Sequence, residues 1–424
     1  MRALYSLLMR LLQSLVRRKL ARRGRREPGY LVAVEERFGR YDMPAWPADG
    51  RTLWVHAVSL GETRAAAILL AQLRVQWPQM RLLLTHGTAT GRAEGAGLLR
   101  AGDLQVWQPW DTPQAVQRFL DHFKPRLGIL LETEVWPNLA AGCAAAGVPL
   151  VLANARLSAK SLRQARRLAW LARPAYRSLS AVWAQTEDDA ARLRTLGAPV
   201  QGVLGNLKFD ATPDAAQLAR GRAWRAALGR PVIMFASSRE GEELELLQIL
   251  RAGAAQEAAS VQWLIVPRHP QRFDAVASLI EAQGLSLARR SQWGEAPGLV
   301  EMSADVWLGD SLGEMALYYG ASDAALLGGS FAPLGGQNLI EAAACACPVF
   351  MGPHTFNFEE AASLALQGDA AVRCDSLGQA AAAALALVQA TQRQQAMARA
   401  ASAFAQLHRG ATARSCKALA AYWD

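Results

Sequence analysis

Short apolar runs that alternate with helical patterns constrain the fold of this chain more than any other feature. In the first half, helical patterns such as Arg64–Gln76 and Pro113–Phe123 lie between the runs. Several runs lack polar residues, which is typical of parallel strands covered on both faces. The pattern predicts a doubly wound α/β sheet. Its predicted strands are Leu53–His56, Arg81–Thr85, Gln105–Trp107, Leu127–Leu131, Leu150–Ala153, Val182–Ala184 and Val200–Val203.

The same alternation starts again after a polar helical segment at residues 210–230. Two Rossmann-like domains with a central cleft fit this repetition best, with a boundary near Asn206–Asp210. The further predicted strands are Val232–Ala236, Trp263–Val266, Leu285–Ala288, Val306–Leu308, Ala324–Leu327, Val349–Met351 and Ala370–Arg373. We expect a basic amphipathic membrane-anchoring helix at 1–30, the two domains at 31–207 and 208–395, and C-terminal helices at 396–424.

The composition excludes several classes of protein. Hydrophobic residues make up 51% of the chain and charged residues 19%, so a disordered chain is excluded. The five cysteines match neither a zinc nor a redox spacing, and the six histidines form no H-E-x-x-H motif. A D-x-D motif for a metal-bound nucleotide is also absent from the sequence. We therefore expect a reducing cytosolic environment, no bound metal and no cofactor.

The N-terminal arm, residues 1–27, holds most of the net positive charge. Nine Arg and Lys residues stand against Glu27 alone, which gives +8 of the total +10. Leu4, Leu8, Leu11 and Leu15 form an apolar stripe at helical spacing, but the apolar run is too short to span a bilayer. A nearly neutral body with a basic amphipathic arm favours an anionic phospholipid surface over nucleic acid. The alternative is a helix packed on the protein's own core.

Polar residues follow three strands of the first half. The first predicted strand leads through Ser59 and Gly61 to Glu62 at a helix start, where the helix dipole favours the ionised carboxylate. Such a carboxylate could be a general base for a sugar hydroxyl, or could simply satisfy the helix dipole. Glu132 and Glu134 follow another strand and are hard to explain by packing. The loop Thr88–Gly91, which includes Thr90, could bind a polar acceptor or be an ordinary turn.

The strands of the second half also end in polar turns. Gly328-Gly329-Ser330 follows one strand, and Gly335-Gly336 opens a helix whose N-terminal amides suit a phosphate. The loop lacks the lysine of a P-loop, and no G-x-G-x-x-G follows the first strand. An ordinary βα turn is the alternative. Other strands end at Ser237, at Arg268-His269 and in the turn from Gly309 through Ser311 and Gly313 to Glu314.

These segments together resemble the Kdo (3-deoxy-D-manno-octulosonic acid) transferase family. The matching segments run in order along nearly the whole chain. They are EERFGRYD at 35–42, VHAVSLGET at 55–63, LETEVWPNL at 131–139, LANARLS at 152–158, GNLKFD at 205–210, SREGEE at 238–243, VPRHPQRF at 266–273, GDSLGEM at 309–315, GGQNLIEAA at 335–343 and MGPHTFNFEE at 351–360.

The resemblance implies a GT-B fold of two Rossmann-like domains that face a central cleft. It implies an inverting transfer of Kdo from CMP-Kdo to a tetra-acylated lipid A precursor in lipopolysaccharide synthesis, on the cytoplasmic face of the inner membrane. It makes Glu62 the catalytic base. The implied acceptor-binding residues are Ser59, Gly61, Thr88, Thr90, Gly91, Glu132 and Glu134. The implied donor-binding residues are Ser237, Arg268, His269, Gly309, Ser311, Gly313, Glu314, Gly329, Ser330, Gly335, Gly336, Asn338 and Glu341.

Two positions depart from the pattern frequent in that family. Arg239 and Gln337 each stand where a histidine is common, so the resemblance assigns them no role. Three alternatives remain: a GT-B transferase with a UDP-sugar donor, a non-catalytic nucleotide sensor on the same scaffold, and an NAD-dependent enzyme. The intact Glu62 and Gly335–Asn338 segments argue against the sensor, and the missing glycine fingerprint argues against NAD. The number of Kdo units transferred, the preferred acyl pattern and the oligomeric state do not follow from the sequence.

Overall fold

The computed structural model describes residues 1–252 and 260–423. The chain forms two compact units. The first unit comprises Met1–Asp210 together with Arg409–Asp424, and the second comprises Ala211–His408. The last helix therefore belongs to the first unit, although the sequence pattern gives no sign of this return.

The first unit is built on a seven-stranded parallel sheet in the order β3-β2-β1-β4-β5-β6-β7. Strand order reverses between β1 and β4, the two central strands. In doubly wound sheets ligands bind beside such a reversal, at the carboxyl ends of the strands. The strands are β1 (Thr52–His56), β2 (Arg81–His86), β3 (Leu104–Trp107), β4 (Leu127–Leu131), β5 (Leu150–Ala155), β6 (Ala181–Ala184) and β7 (Val200–Val203).

Apolar residues on both faces of this sheet hold the first unit together. Along β1, Leu53 and Val55 enter one buried cluster, whereas Trp54 enters the other. This alternation explains why the strands read as unbroken apolar runs, since both faces are covered by helices. The C-terminal helix contributes Ala411 and Leu419 to the first of these clusters.

Hydroxyl side chains begin several helices of the first unit. Ser59, Thr88 and Thr112 each accept a hydrogen bond from a backbone amide in the first turn of the helix that follows.

The helices are numbered in chain order. Those of the first unit are α1 (Arg2–Leu11), α2 (Gln13–Gly24), α3 (Leu60–Gln76), α4 (Ala89–Ala96), α5 (Pro113–Phe123), α6 (Pro137–Ala145), α7 (Ala159–Arg167), α8 (Ala169–Arg177), α9 (Glu187–Thr195) and, at the C-terminus, α19 (Ala411–Trp423).

The second unit repeats the architecture with a seven-stranded parallel sheet in the order β10-β11-β9-β8-β12-β13-β14. Here the reversal lies between β8 and β12. The strands are β8 (Val232–Ser238), β9 (Gln262–Pro267), β10 (Leu287–Arg289), β11 (Val306–Leu308), β12 (Ala324–Leu327), β13 (Val349–Met351) and β14 (Ala371–Arg373). Its described helices are α10 (Ala215–Leu228), α11 (Glu242–Ala252), α12 (Phe273–Ala282), α13 (Leu299–Ser303), α14 (Met315–Gly320), α15 (Leu339–Ala344), α16 (Glu359–Gln367), α17 (Leu377–Gln389) and α18 (Thr391–Leu407).

The N-terminal arm forms two helices, α1 and α2, that contact the first unit through polar groups. Tyr5 donates to Asp111 Oδ2 at 2.8 Å, and Ser6 donates to Asn138 Oδ1 at 2.9 Å. The leucines at 4, 7, 8, 11 and 15 remain between 50% and 67% exposed. The leucine stripe is therefore not the surface by which the arm packs on its own unit. Within the described residues, no helix combines the length and apolarity that crossing a membrane requires.

Candidate functional site

In the first unit, the predicted acceptor residues gather at one edge of the sheet. They follow β2, β1 and β4, which are adjacent strands on either side of the strand-order reversal. Because parallel strands end at a common edge, residues far apart in the sequence become neighbours there.

Glu62 lies in the first turn of α3, and its carboxylate is bound by the loop that precedes the helix. The Val58 amide donates to Glu62 Oε2 at 2.5 Å, and the Ser59 hydroxyl donates to Oε1 at 3.4 Å. Burial and the negative charges of Glu132 and Glu134 raise the pKa of Glu62 to about 7, against the opposing effect of the Val58 amide. Glu62 can therefore exchange a proton near neutral pH, as a general base requires.

Glu132 is held by both its backbone and its side chain. Its φ of +61° is in the left-handed region, where a side chain is strained. Its amide nevertheless donates to Ala153 O at 3.2 Å and its carbonyl accepts from the Arg156 amide at 3.0 Å. The carboxylate accepts from Lys208 Nζ at 2.8 Å. The fold thus places a carboxyl group and its lysine partner close to Glu62.

Glu134 completes the acidic group. Its carboxylate accepts a hydrogen bond of 2.5 Å from Trp136 Nε1. Burial raises the pKa of Glu134, and the bond from Trp136 opposes that rise. Glu62 and Glu134 thus both have raised pKa values at this sheet edge.

Some of the other predicted acceptor residues support the loop that binds Glu62, whereas others face open space. Thr88 donates to Val58 O at 2.9 Å, and a Cβ on Gly91 would lie 3.0 Å from that oxygen, so both support the loop that holds Glu62. Ser59 caps α3. Thr90 is exposed, and a Cβ on Gly61 would meet no atom within 4 Å.

The predicted donor residues of the second unit also gather at one sheet edge. They follow β11, β9, β8 and β12, four adjacent strands that include the strand-order reversal. Ser237, near the end of β8, has a φ of +56°, and a Cβ on Gly328 would lie 2.3 Å from Ser237 O. The second glycine pair after β12 starts at Gly335, where an added Cβ would lie 2.4 Å from Asn357 Nδ2.

Positive charge dominates the end of β9. Arg268 donates through Nε to Gln337 Oε1 at 3.1 Å. Partial burial and the charges of Arg239, Arg268 and Arg272 lower the pKa of His269. Arg272 forms an ion pair with the buried Glu243 at 3.2 Å, so Arg239 and Arg268 are the guanidinium groups that favour an anionic ligand.

Glycines after β12 adopt backbone conformations that side chains disfavour. Gly329, Gly335 and Gly336 have φ values of +69°, +89° and +73°. The Gly336 amide donates to Gly329 O at 2.8 Å, and the Gly329 amide donates to the buried Glu242 carboxylate at 2.8 and 3.0 Å. Ser330 is buried, donates to Leu327 O at 2.5 Å and accepts from the Gly352 amide at 2.8 Å.

The helix after these glycines, α15, is short and is capped by Asn338. Asn338 Oδ1 accepts from the Ile340 amide at 3.1 Å, and its Nδ2 donates to Glu341 Oε1 at 3.1 Å. One amide at this helix start is therefore already used within the protein, which the glycine pattern alone could not indicate.

The turn after β11 is built around two carboxylates. Asp310, next to Gly309, accepts from Arg289 Nε at 2.8 Å. Glu314 accepts from Arg290 at 3.0 Å and from the Ser311 hydroxyl at 2.5 Å. Burial opposes ionisation of Glu314, but these donors and the nearby arginines lower its pKa. Gly313 lies between them with a φ of +80°.

Sequence reasoning missed two residues of these sites. Lys208 lies 76 residues from its partner Glu132 in the chain, and a lone lysine in GNLKFD gives no sign of that pairing. No feature of the sequence indicated a role for Glu242. Its buried carboxylate nevertheless accepts hydrogen bonds from the amides of Gly329, Ala332 and Arg239. In the described parts of the chain, no three His, Cys, Asp or Glu side chains are placed to hold a metal ion.

Comparison with known proteins identifies relatives along the whole chain. The family model for 3-deoxy-D-manno-octulosonic-acid transferase (kdotransferase) matches residues 33–211. The 3-deoxy-D-manno-octulosonic acid transferase of Bordetella pertussis is 48% identical over 99% of this chain and 98% of its own length. The enzyme of the same name from Haemophilus influenzae is 34% identical over 79% of this chain and 78% of its own length.

Solved structures share the fold at low sequence identity. A glycosyltransferase from Rickettsia africae has a TM-score of 0.56 and 11% identity, and the match covers 90% of this chain and 98% of that one. The UDP-GlcNAc 2-epimerase from Neisseria meningitidis has a TM-score of 0.55 and 14% identity over 88% of this chain and 99% of that one. Two parallel-sheet α/β domains and these neighbours confirm the predicted GT-B fold.

Proposed function

We propose, since this chain belongs to the 3-deoxy-D-manno-octulosonic acid (Kdo) transferase family, that it transfers Kdo from CMP-Kdo to a tetra-acylated lipid A precursor with inversion at the anomeric carbon. The observation that carries the proposal is Glu62, a carboxyl group with a pKa raised to about 7 at the sheet edge of the first unit.

In the proposed reaction, Glu62 takes the proton from a sugar hydroxyl of the lipid as that oxygen bonds to the anomeric carbon of Kdo. The bond from this carbon to the CMP phosphate oxygen breaks, and CMP leaves with the electron pair. One displacement of this kind inverts the anomeric centre. A base whose pKa lies near the working pH is well matched to this proton transfer.

Glu132 and Glu134 raise the pKa of Glu62 and supply acceptors for the hydroxyls of an incoming sugar. Lys208, bound to Glu132, carries a positive charge that limits how far burial and the acidic group raise the pKa of Glu62. We assign the acceptor to this part of the first unit.

We assign CMP-Kdo to the second unit. Arg268 and Arg239, both close to His269, supply positive charge for the phosphate and carboxylate of the donor. The positive-φ glycines Gly329, Gly335 and Gly336 leave the backbone free of side chains, so a ligand can approach it closely.

We also propose that the arm holds the enzyme on the cytoplasmic face of the inner membrane as a peripheral protein. Its exposed leucine stripe can enter the boundary between lipid head groups and acyl chains, and its basic residues favour anionic lipid. This arrangement would leave the acyl chains of the acceptor in the bilayer during transfer.

Mass spectrometry of the lipid product tests the proposed reaction. Purified protein is mixed with a CMP-Kdo generating system and tetra-acylated lipid A precursor. A mass gain of one or more Kdo units supports the proposal, and its size counts the transfers. A folded protein that binds CMP but adds no Kdo would overturn the proposed acceptor, and loss of CMP binding as well would overturn the donor.

A further inference from the structure

A cavity of about 460 Å³ lies within the first unit between the arm and the sheet edge. Val16, Lys19, Leu20 and Arg23 of α2 line one side of it. Val58 and Glu134, both beside Glu62, line another part. The cavity therefore extends from the arm to the residue whose amide binds the Glu62 carboxylate, Val58.

The cationic groups of this cavity belong to α2 and to the segment that follows it. Lys19 and Arg23 lie one turn apart on the same face of α2, and Arg37 joins them from the segment before β1. Arg37 lies over the Trp107 ring at 3.8 Å and donates to Gly87 O at 3.2 Å. Burial lowers the pKa of Arg37 to about 10, which still leaves it cationic at neutral pH. Among the described residues, its Nε is buried without a hydrogen-bond partner.

The two carboxylates that line the cavity are already bound by other groups. Asp111 accepts from the Asn138 and Leu139 amides at 3.0 and 2.8 Å and from the Tyr5 hydroxyl. Glu134 accepts from Trp136. Outside the cavity lining, Arg23 also forms an exposed ion pair with Glu27 at 3.8 Å, and exposed pairs of this kind contribute little. The lining itself holds three cations and two bound carboxylates, which leaves an excess of positive charge and hydrogen-bond donors for a ligand.

Contacts with the first unit fix the arm in this position. Trp110 Nε1 donates to Met9 O at 2.9 Å, and Arg17 forms an ion pair with Glu35. The Arg23 guanidinium lies 4.2 Å from the centre of the Tyr30 ring. While the leucines of α1 remain exposed, one face of α2 is therefore a wall of the cavity.

We propose that Lys19, Arg23 and Arg37 form a subsite for a phosphate group of the acceptor glycolipid. The phosphate would bind beneath α2, and the sugar would extend past Trp110 and Trp136 towards Glu62. This inference rests on the proposed function, because it assumes a phosphorylated lipid acceptor. It gives the arm a second task, recognition of the substrate in addition to attachment to the membrane.

A matched pair of double variants tests the subsite in the full-length protein. Lys19→Gln/Arg23→Gln removes two charges that line the cavity, and Arg18→Gln/Arg22→Gln removes two exposed charges of α2 that do not line it. Both pairs lie on the surface of the arm, so we expect both proteins to fold, which their melting temperatures check. Transfer is measured in uncharged detergent micelles with the phosphorylated lipid A precursor and with its enzymatically dephosphorylated form.

For Lys19→Gln/Arg23→Gln, we expect KM for the phosphorylated acceptor to rise about 10–100-fold, since two cationic hydrogen-bond donors to the phosphate are lost. The KM for CMP-Kdo and for the dephosphorylated acceptor should change less than about twofold. For Arg18→Gln/Arg22→Gln, KM for the phosphorylated acceptor should hold within about twofold, while binding to phosphatidylglycerol vesicles weakens.

The phosphate subsite would be overturned if both double variants raised KM for the phosphorylated acceptor equally. It would also be overturned if Lys19→Gln/Arg23→Gln raised KM for the dephosphorylated acceptor as much as for the phosphorylated one. Loss of vesicle binding confined to Lys19→Gln/Arg23→Gln, with KM unchanged in micelles, would instead assign the cavity to a phospholipid head group and also overturn it. Binding of the phosphorylated precursor is followed separately through tryptophan fluorescence, since Trp110 and Trp136 line the cavity. If the wild-type protein transfers no Kdo, the proposed function fails, whereas the binding comparison still decides the subsite.

Discussion

The two units share one sheet architecture but differ in the charge at their functional edges. In the first unit, burial and the negative charges of Glu132 and Glu134 raise the pKa of Glu62 to about 7. In the second unit, partial burial and the charges of Arg239, Arg268 and Arg272 lower the pKa of His269. The same topology thus forms one edge suited to accepting a proton and another suited to holding an anion.

The two edges also differ in how they use unusual backbone conformations. In the first unit, Glu132 keeps its side chain at positive φ, which strains the backbone and places a carboxyl group near Glu62. In the second unit, Ser237 also has a positive φ, but Gly329, Gly335 and Gly336 adopt positive φ without that cost and leave the backbone open. The first edge presents side chains, and the second presents much of its backbone.

The largest expected effect follows from replacing Glu62, the proposed base in the first unit. Glu62→Gln should lower kcat by about a thousandfold, because general-base catalysis contributes roughly 10²–10⁴-fold. CMP binding, measured by calorimetry, should be unchanged. Glu94→Gln is the control, since Glu94 is a helix carboxylate in a surface ion pair with Arg64. A Glu62→Gln enzyme with activity close to that of Glu94→Gln would remove Glu62 from the role of base.

Removing a cation from the second unit should affect the donor alone. We expect Arg268→Ala to raise KM for CMP-Kdo about 10–100-fold through loss of charge-assisted hydrogen bonds, each contributing about 1.5–3 kcal/mol. The acceptor KM should stay within about twofold. Arg251→Ala, on the exposed side of α11, is the matched control. A larger change in acceptor KM than in donor KM would contradict the division of tasks between the units.

Neutralising the neighbours of Glu62 should lower its pKa. Both Glu132 and Glu134 raise it, and Glu132 does so more strongly. Glu132→Gln should therefore shift the titration of Glu62 to lower pH by more than Glu134→Gln does. Carbon-13 NMR of labelled glutamate carboxyl groups, with Glu62→Gln to assign the signal, measures the shift. A shift to higher pH in Glu132→Gln would show that the acidic group does not control the base.

A pair of glycine variants should show the smallest effect and test the backbone difference. Gly336→Ala places a side chain at a φ of +73° and should cost about 1–2 kcal/mol of unfolding free energy. Gly61→Ala meets open space in a helix and should be neutral or stabilising by up to about 1 kcal/mol. Thermal unfolding of both proteins measures the difference, and equal losses would contradict it.

The sequence predicted the strands well because parallel strands covered on both faces leave unbroken apolar runs. All fourteen predicted strands are present, and β10 differs most, at Leu287–Arg289 instead of Leu285–Ala288. Partners far apart in the chain were not predictable. Lys208 with Glu132, and Glu242 with the Gly329 amide, depend on where the sheet brings loops together.

The arm shows the same limit. Its leucine spacing predicted an apolar stripe of Leu4, Leu8, Leu11 and Leu15, and all four side chains are exposed. Its contact with Asp111 and Asn138 depends on Tyr5 and Ser6, whose polar groups carry no periodic signal. The sequence could therefore indicate which face is apolar but not which structure the opposite face contacts.

The dependence of kcat/KM for the acceptor on pH tests the central claim most directly, because it reports the pKa of the base in the free enzyme. Only ionised Glu62 can accept the proton, so kcat/KM should fall as the pH decreases through about 7, approaching a tenfold loss per pH unit. Glu62→Gln should lack this dependence. A wild-type profile that stays flat from pH 8 to about 5.5, or the same decline in Glu62→Gln, would contradict the assignment of Glu62 as the base.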